Sequence, residues 1–397
     1  MEIYVIKEGD TLYSIAKELG VSIERIIRDN GIVDADNLPT GSALVILRPE
    51  AVYPVKVGDN LLEIALKRNT SVNSIYKNNQ WLNAKQEILS DGIITLACSG
   101  KKLGKISTNA CAYPDIDKET LRKTLPYLTY LTVIGASVTD NGALEAQKDI
   151  EAIELSRFYG TAPILHIDLH NNRILASESI RKALISEIES YILSKRYDGV
   201  NIDLGQISPD MLSVCKGFLS EFKNICNSRG KVLFITVYCD MYEDGSLSEH
   251  TDAVTLTPIT LSRSLCGSLS TNDKSVYYPI RGCGVDMTIA DYSNQIILSN
   301  SASIMLAGDT DSEILYDGHN NAYFEYTDGK SKAHTVVFDD PRSIFGTLQQ
   351  VCNNKNAGIT VWNIDKFCPY LWSVINASVD IIRSGDKELE NKHFPLT

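Results

Sequence analysis

The feature that most constrains this chain is an internal repeat at its amino end. The segment at 4–12, Tyr-Val-Ile-Lys-Glu-Gly-Asp-Thr-Leu, recurs at 53–61 as Tyr-Pro-Val-Lys-Val-Gly-Asp-Asn-Leu. The register continues downstream, because Asn30 matches Asn79. A repeat of this kind predicts two copies of one small structural unit.

Each copy has the pattern of a strand, two helices and a closing strand. The pairs Gly9-Asp10 and Gly58-Asp59 are turn sequences, and we expect each aspartate to cap the helix that follows. Apolar residues of the first predicted helix recur at helical spacing, as Leu12, Ile15, Ala16 and Leu19.

This pattern resembles the LysM domain, and we assign residues 1–49 and 50–98 to two such domains. The resemblance implies binding of N-acetylglucosamine chains of peptidoglycan or chitin. It places the groove between the first strand–helix loop and the loop before the last strand. The residues carried over are Gly9, Asp10, Thr11 and Asn30 in the first copy, and Gly58, Asp59, Asn60 and Asn79 in the second. The alternative is that these residues only form turns and caps.

Beyond residue 102 the pattern changes to β-like runs that alternate with amphipathic helical runs, which is typical of a parallel α/β fold. We predict a (β/α)8 TIM barrel at 103–386, close to the usual size of about 250 residues, and a tail at 387–397. The predicted strands are Lys105–Ala112, Tyr130–Gly135, Pro163–Asp168, Gly199–Leu204, Lys231–Tyr238, Ala253–Thr257, Ser275–Ile280 and Gly358–Asn363.

The end of the fourth predicted strand, residues 197–206, resembles the Asp-x-x-Asp-x-Asp-x-Glu signature of family 18 glycoside hydrolases. The spore-cortex branch of that family also starts with LysM repeats. Residues 316–344 resemble the family's small inserted α+β lobe and the helix after it. Residues 358–362 resemble its last barrel strand, in which the resemblance gives Trp362 the floor of a sugar subsite.

The resemblance assigns a role to each signature position. Asp203 takes the place of the aspartate that orients the substrate acetamide, and Asn201 and Asp198 occupy the earlier positions as binding residues. Gly205 stands where the family has its proton-donating glutamate. Side chains two apart on a strand point the same way, so we expect positions 203 and 205 to face the same sugar. General acid catalysis typically contributes 10²–10⁴-fold, which a glycine cannot supply.

Further departures from the family pattern also indicate that the catalytic site is degenerate. Ile259 stands where the family has a tyrosine that holds the acetamide, and the segment after Thr260 is short. A relocated acid is an alternative, with Asp168, Asp240 and Glu243 as candidates.

The polar alternation of His166, Asp168 and His170 suggests either a metal site or a polar cluster at the barrel mouth, and we favour the cluster. The nine cysteines form no CxxC pair, so we predict no zinc site. Most of them lie in apolar stretches, which fits unpaired thiols in a reducing compartment. No glycine-rich phosphate loop occurs, so we predict no cofactor.

The net charge of −12 argues against nucleic acid and anionic membranes as partners. The start of the sequence carries no secretory signal pattern. The resemblance therefore implies synthesis in the cytoplasm and deposition on the spore cortex or coat. We expect a peptidoglycan-binding protein with a degenerate, weakly active or inactive barrel. The alternatives are an active cortical-fragment N-acetylglucosaminidase with a relocated acid, and a structural scaffold for spore-coat proteins.

Overall fold

The computed structural model describes residues 1–82, 92–145, 148–239, 247–257, 273–289, 291–317 and 321–383. Several sequence-based expectations lie outside these residues. They concern Asp240, Glu243, Ile259, the segment after Thr260 and the tail at 387–397. Within the described part of the chain, no helix is long and apolar enough to cross a membrane.

Both front modules have the predicted order of strand, helix, helix and strand. The elements of the first are β1 (Glu2–Val5), α1 (Leu12–Leu19), α2 (Ile23–Asn30) and β2 (Ala43–Ile46). Those of the second are β3 (Pro49–Pro54), α3 (Leu61–Lys67), α4 (Val72–Asn78) and β4 (Ile93–Cys98). The two strands of each module pair antiparallel, and each module has a small apolar core of its own.

The helix caps differ from the prediction by one residue. Thr11 caps α1 and Asn60 caps α3, because the side-chain oxygen of each accepts a backbone N–H three residues later. Asp10 and Asp59 instead close the preceding turn. Each accepts a hydrogen bond from the tyrosine hydroxyl of the first strand, at 2.9 and 2.8 Å, so the assignment of the aspartates as caps is wrong.

Eight parallel strands form the barrel, and each strand predicted from the sequence is present. The strands are β5 (Gly104–Ala112), β6 (Tyr130–Val138), β8 (Ala162–Asp168), β9 (Gly199–Asp203), β10 (Val232–Tyr238), β11 (Ala253–Thr257), β12 (Val276–Arg281) and β18 (Gly358–Trp362). They neighbour one another in that order, and β18 and β6 both pair with β5, which closes the ring. The short strands β7 (Leu144–Glu145) and β19 (Val379–Ile381) extend it at β6 and β5.

Helices surround the barrel and bury one apolar face against it. They are α5 (Lys118–Thr124), α6 (Ile150–Phe158), α7 (Glu178–Lys195), α8 (Leu212–Ser228), α10 (Pro341–Asn354) and α11 (Pro369–Ser378). In α7 and α8, the apolar residues Leu184, Ile188, Phe218 and Phe222 recur at helical spacing and are all buried.

The chain between β12 and β18 folds into the small lobe that the resemblance implies. Its elements are β13 (Cys283–Thr288), β14 (Asp291–Ser299), α9 (Asn300–Asp309), β15 (Leu315–Tyr316), β16 (Ala322–Thr327) and β17 (Ala333–Phe338). The strands form one antiparallel sheet whose core includes Phe324 and Phe338. The lobe therefore rises at the carboxyl ends of the strands.

Both front modules dock on α11 of the barrel. Gly31 of the first module packs on Pro369 so closely that a side chain at 31 would clash with it. In the second module, Gln80 donates hydrogen bonds to the Pro369 carbonyl and to Ser373 Oγ, at 3.2 and 3.1 Å. Val45 and Leu47 belong to the same continuous apolar core as the barrel strands. Modules and barrel are thus joined by buried surface.

The first module also contacts the inserted lobe. The backbone N–H of Ile314 donates to the Thr40 carbonyl at 2.9 Å, and Asn37 donates to Asp309 at the same distance. The loop between α2 and β2, one wall of the implied sugar groove, is therefore packed against the barrel domain.

The cysteines do not all match the prediction of free thiols. Seven described cysteines are free. Cys239 is disulfide-bonded, so the expectation of unpaired cysteines is wrong there. Burial raises the pKa of the Cys226 thiol to about 12, which keeps this group protonated and unreactive.

Candidate functional site

Asp168 and Asp203 face each other at the mouth of the barrel. Each ends its strand, β8 and β9, and the two residues are direct partners in the parallel register. Because the carboxyl ends of barrel strands meet at one face, this is where a TIM barrel places its chemistry.

His170 lies between these two carboxylates. Its Nε2 is 3.2 Å from Asp203 Oδ1, and its Nδ1 is 3.3 Å from Asp168 Oδ1. The Asp203 side chain is 14% exposed, whereas those of His170 and Asp168 are half exposed. The cluster is therefore open to solvent through the histidine.

The backbone at Gly205 departs from the extended form that we expected. Strand β9 ends at Asp203, and Gly205 has a φ of +56°, in the left-handed region that favours glycine. The Gly205 N–H donates to Asp203 Oδ1 at 2.9 Å. A Cβ at position 205 would lie 2.8 Å from Cδ2 of His170. The imidazole thus borders the space that a side chain at 205 would enter.

A buried polar network supports this cluster from below. Asn201 donates to Thr236 Oγ1 at 2.9 Å and lies 3.3 Å from Nδ1 of His166. Burial lowers the pKa of His166, although Asp203 and Asp168 oppose that shift, so we treat this ring as neutral. Asn201 is fully buried. Its side chain is bonded within the floor of the cleft, which favours a supporting role over the predicted glycan-binding role.

Asp198 lies at the other end of β9, away from the mouth. It precedes Gly199 and pairs with Arg157 Nη2 at 2.7 Å and Lys231 Nζ at 3.8 Å. A five-residue strand rises about 16 Å, so Asp198 and Asp203 do not share a cleft. The structure gives Asp198 ion pairs at the bottom of the barrel in place of the expected glycan contact.

Trp362 ends β18, on the opposite side of the mouth from Asp203 in the order of strands. Its indole Nε1 donates to the Leu256 carbonyl at 2.9 Å, and the side chain is partly exposed. This hydrogen bond fixes the ring at the rim of the barrel.

In the modules, the two asparagines of the implied grooves have structural roles. Asn30 donates to the carbonyls of Ile26 and Val45 and accepts from the Val45 N–H, at 2.7–2.9 Å. Asn79 repeats this arrangement in the second module. Both side chains are buried, so they tie the second helix to the closing strand and leave no group for a ligand.

The first loop of each groove remains accessible. Gly9 and Gly58 have φ of +82° and +86°, and nothing lies within 4 Å of a Cβ built at either. Thr11 and Asn60 are exposed beside them. Asp10 and Asp59 turn inward to the tyrosine hydroxyls, and the backbone N–H of Lys56 holds the pKa of Asp59 below its usual value.

We expect Asn30→Ala to lower the free energy of unfolding by about 3 kcal/mol, because three buried backbone groups lose their partners. Thr11→Ala, which removes an exposed cap, should cost about 1 kcal/mol. Urea unfolding of both variants measures the difference. Unchanged stability with weaker glycan binding in Asn30→Ala would contradict the structural role.

The described residues contain no group of three or more His, Cys, Asp or Glu side chains that could hold a metal ion. The alternation predicted for His166, Asp168 and His170 is also broken, because β8 ends at Asp168 and His166 is buried. Of the three, only His170 and Asp168 meet at the mouth.

Comparison with known proteins agrees with this architecture. Residues 4–47 match the model of the LysM domain. The cortical fragment-lytic enzyme of Bacillus subtilis is 26% identical over 430 residues, covering 96% of this chain and 99% of that protein. The Bacillus cereus spore cortex-lytic enzyme SleL has a TM-score of 0.73 at 21% identity, covering 97% and 99% of the two chains. The class V chitinase of Nicotiana tobaccum has a TM-score of 0.55 at 11% identity, covering 70% of this chain and all of that one. The first module is a LysM domain, and the chain shares the fold of SleL over 97% of its length.

Proposed function

We propose that this protein binds N-acetylglucosamine-containing peptidoglycan of the spore cortex through its modules and its barrel, with little or no hydrolysis. The LysM domain and the cortex-lytic relatives support the glycan class and the spore location. The observation that carries the weak-activity part is the local structure at Gly205, which has no side chain and borders the His170 ring.

The proposed chemistry follows from the substrate-assisted reaction that the family 18 resemblance implies. In that reaction the acetamide oxygen of the sugar attacks the anomeric carbon, an aspartate orients the acetamide, and a carboxylic acid protonates the leaving oxygen. We assign the acetamide-orienting role to Asp203, and the location of its partly buried carboxylate at the mouth supports this assignment. Without the carboxylic acid at 205, we expect a rate lower by about 10²–10⁴-fold than that of a complete site.

Binding of glycan by the barrel is assigned to Trp362, and Trp362→Ala tests it. Loss of the aromatic face should weaken oligosaccharide binding at the barrel about tenfold, which corresponds to about 1.4 kcal/mol. Trp362→Phe is the control, because it keeps an aromatic face while it loses the hydrogen bond to Leu256. Calorimetry on the full chain measures how many oligosaccharides bind per chain, so loss of the barrel site is distinguished from binding by the modules. Equal affinity in the folded Ala variant would remove Trp362 from the site.

The function as a whole is tested with muramic-δ-lactam cortex fragments and chitooligosaccharides on the full chain. The complete protein is needed because Val45 and Leu47 of the first module complete the barrel core. Binding with slow or undetectable turnover supports the proposal. Hydrolysis at rates ordinary for glycosidases, on the order of 1–10³ per second, would show a complete catalytic site and overturn it.

The location on the spore is proposed from the relatives alone. The relatives are named as cortex-lytic and cortical fragment-lytic enzymes, and a LysM domain would hold this chain on the same glycan. We propose synthesis in the cytoplasm followed by deposition on the cortex or coat, where coat proteins become available as partners.

A further inference from the structure

The position of His170 suggests a role that the family pattern does not provide. The ring lies against Gly205, where the family's acid would begin, and its Nε2 is 3.2 Å from the orienting carboxylate of Asp203. The side chain is 49% exposed, so a ligand in the cleft reaches it. We propose that His170 is the proton donor for slow, substrate-assisted glycoside hydrolysis in this barrel. This inference rests on the proposed function, since it requires that the barrel bind glycan.

The two carboxylates beside the ring support the role. Each ring nitrogen of His170 lies within ion-pair distance of a carboxylate, Asp203 on one side and Asp168 on the other. Only the imidazolium carries a hydrogen on both nitrogens, so only this form can donate in both directions. Asp168 is then a positioning residue, because its carboxylate lies beside Nδ1 while Nε2 lies beside Asp203.

The proposed step balances without any further group. The acetamide oxygen bonds to C1 of its own sugar as the bond between C1 and the leaving oxygen breaks. The electron pair stays with the leaving oxygen, which takes the proton from Nε2 of the His170 imidazolium. Water then adds to C1, the acetamide oxygen leaves, and the proton released by the water returns to His170. Asp203 orients the acetamide throughout.

The test compares two leaving groups in the full-length protein. A sugar alkoxide needs a proton to leave, whereas a nitrophenolate leaves without one. We therefore expect His170→Asn to lower turnover of chitooligosaccharides by at least tenfold and turnover of an aryl N-acetylglucosaminide much less. His250→Asn is the control. His250 lies just before β11, at the opposite end of the barrel, and forms a hydrogen bond with Ser220.

A pH profile separates proton donation from simple packing. If His170 supplies the proton, turnover of the oligosaccharide falls towards high pH, and His170→Asn lacks this dependence because an amide cannot supply the proton. Charged and titratable groups that face His170 include Asp168, Asp203 and the buried His166.

Each outcome decides the proposal. Equal loss with both leaving groups, an unchanged pH limb in His170→Asn, or glycan binding with no turnover at all would overturn the role of His170. The last of these results would still leave the proposed binding function standing. Failure of the full chain to bind glycan, measured by calorimetry on the same samples, would overturn both.

Discussion

Gly205→Glu alone should leave the barrel as slow as the unmodified protein, even though it restores the family's acid in sequence. The backbone at 205 has a φ of +56°, and a side chain there is strained by about 1–2 kcal/mol. The new Cβ would also lie 2.8 Å from the ring of His170, which is held by Asp168 and Asp203. The glutamate therefore does not reach the position from which it could protonate a leaving group.

The double variant Gly205→Glu, His170→Ala should hydrolyse chitooligosaccharides 10²–10⁴-fold faster than His170→Ala alone, because removing the ring opens the space that a glutamate needs. Gly205→Gln, His170→Ala is the matched control, since an amide of the same size cannot supply the proton. Reducing-end release from cortex fragments and chitooligosaccharides measures all of these variants.

Full activity in the single Gly205→Glu variant would contradict this expectation. It would mean that the 204–206 backbone readily adopts an extended form and that the His170 ring moves aside. Undetectable hydrolysis by the double variant, with glycan binding intact, would instead show that the cleft lacks further catalytic groups besides the acid.

The sequence predicts the architecture well because its signals are periodic. The repeat fixes two modules with the same order of elements, and the apolar runs identify all eight barrel strands to within a few residues. Patterns of this kind depend on burial over many residues, so a single unusual position does not disturb them.

The site is predicted less well because it depends on where strands stop. The signature suggests that positions 203 and 205 lie on one strand, yet β9 ends at Asp203 and Gly205 turns into the left-handed region. His170 likewise leaves the alternation of β8 and reaches Asp203 across the strands. No local pattern in the sequence reports this contact.

The sequence also does not distinguish the possible roles of the asparagines in the two grooves. Asn30 and Asn79 recur at the same place in both copies, which fits a ligand-binding role and a structural role equally well. Only the closing strand, distant in sequence, reveals that both side chains are fully used by backbone groups. Docking of the modules on α11 has no sequence signal at all, since the residues involved are separated by more than 280 positions.

That docking predicts a large effect at Trp372, in the middle of α11. Its side chain is 1% exposed and stacks on Tyr127 with ring centroids 5.2 Å apart. The Tyr127 hydroxyl in turn donates to the Lys77 carbonyl of the second module at 2.9 Å. Trp372→Ala should lower the free energy of unfolding by about 3–5 kcal/mol, since it leaves a large cavity in a core that the barrel and the modules share.

Trp372→Phe is the matched control and should cost less, because it keeps an aromatic ring against Tyr127. Urea unfolding measures both losses, and hydrogen exchange locates them. In Trp372→Ala we expect faster exchange at α4 of the second module as well as at α11, because the contact between Tyr127 and Lys77 loses its support. Faster exchange confined to α11 would mean that the second module keeps its structure without support from this contact with the barrel. In that case the shared core would carry less of the stability than its burial indicates.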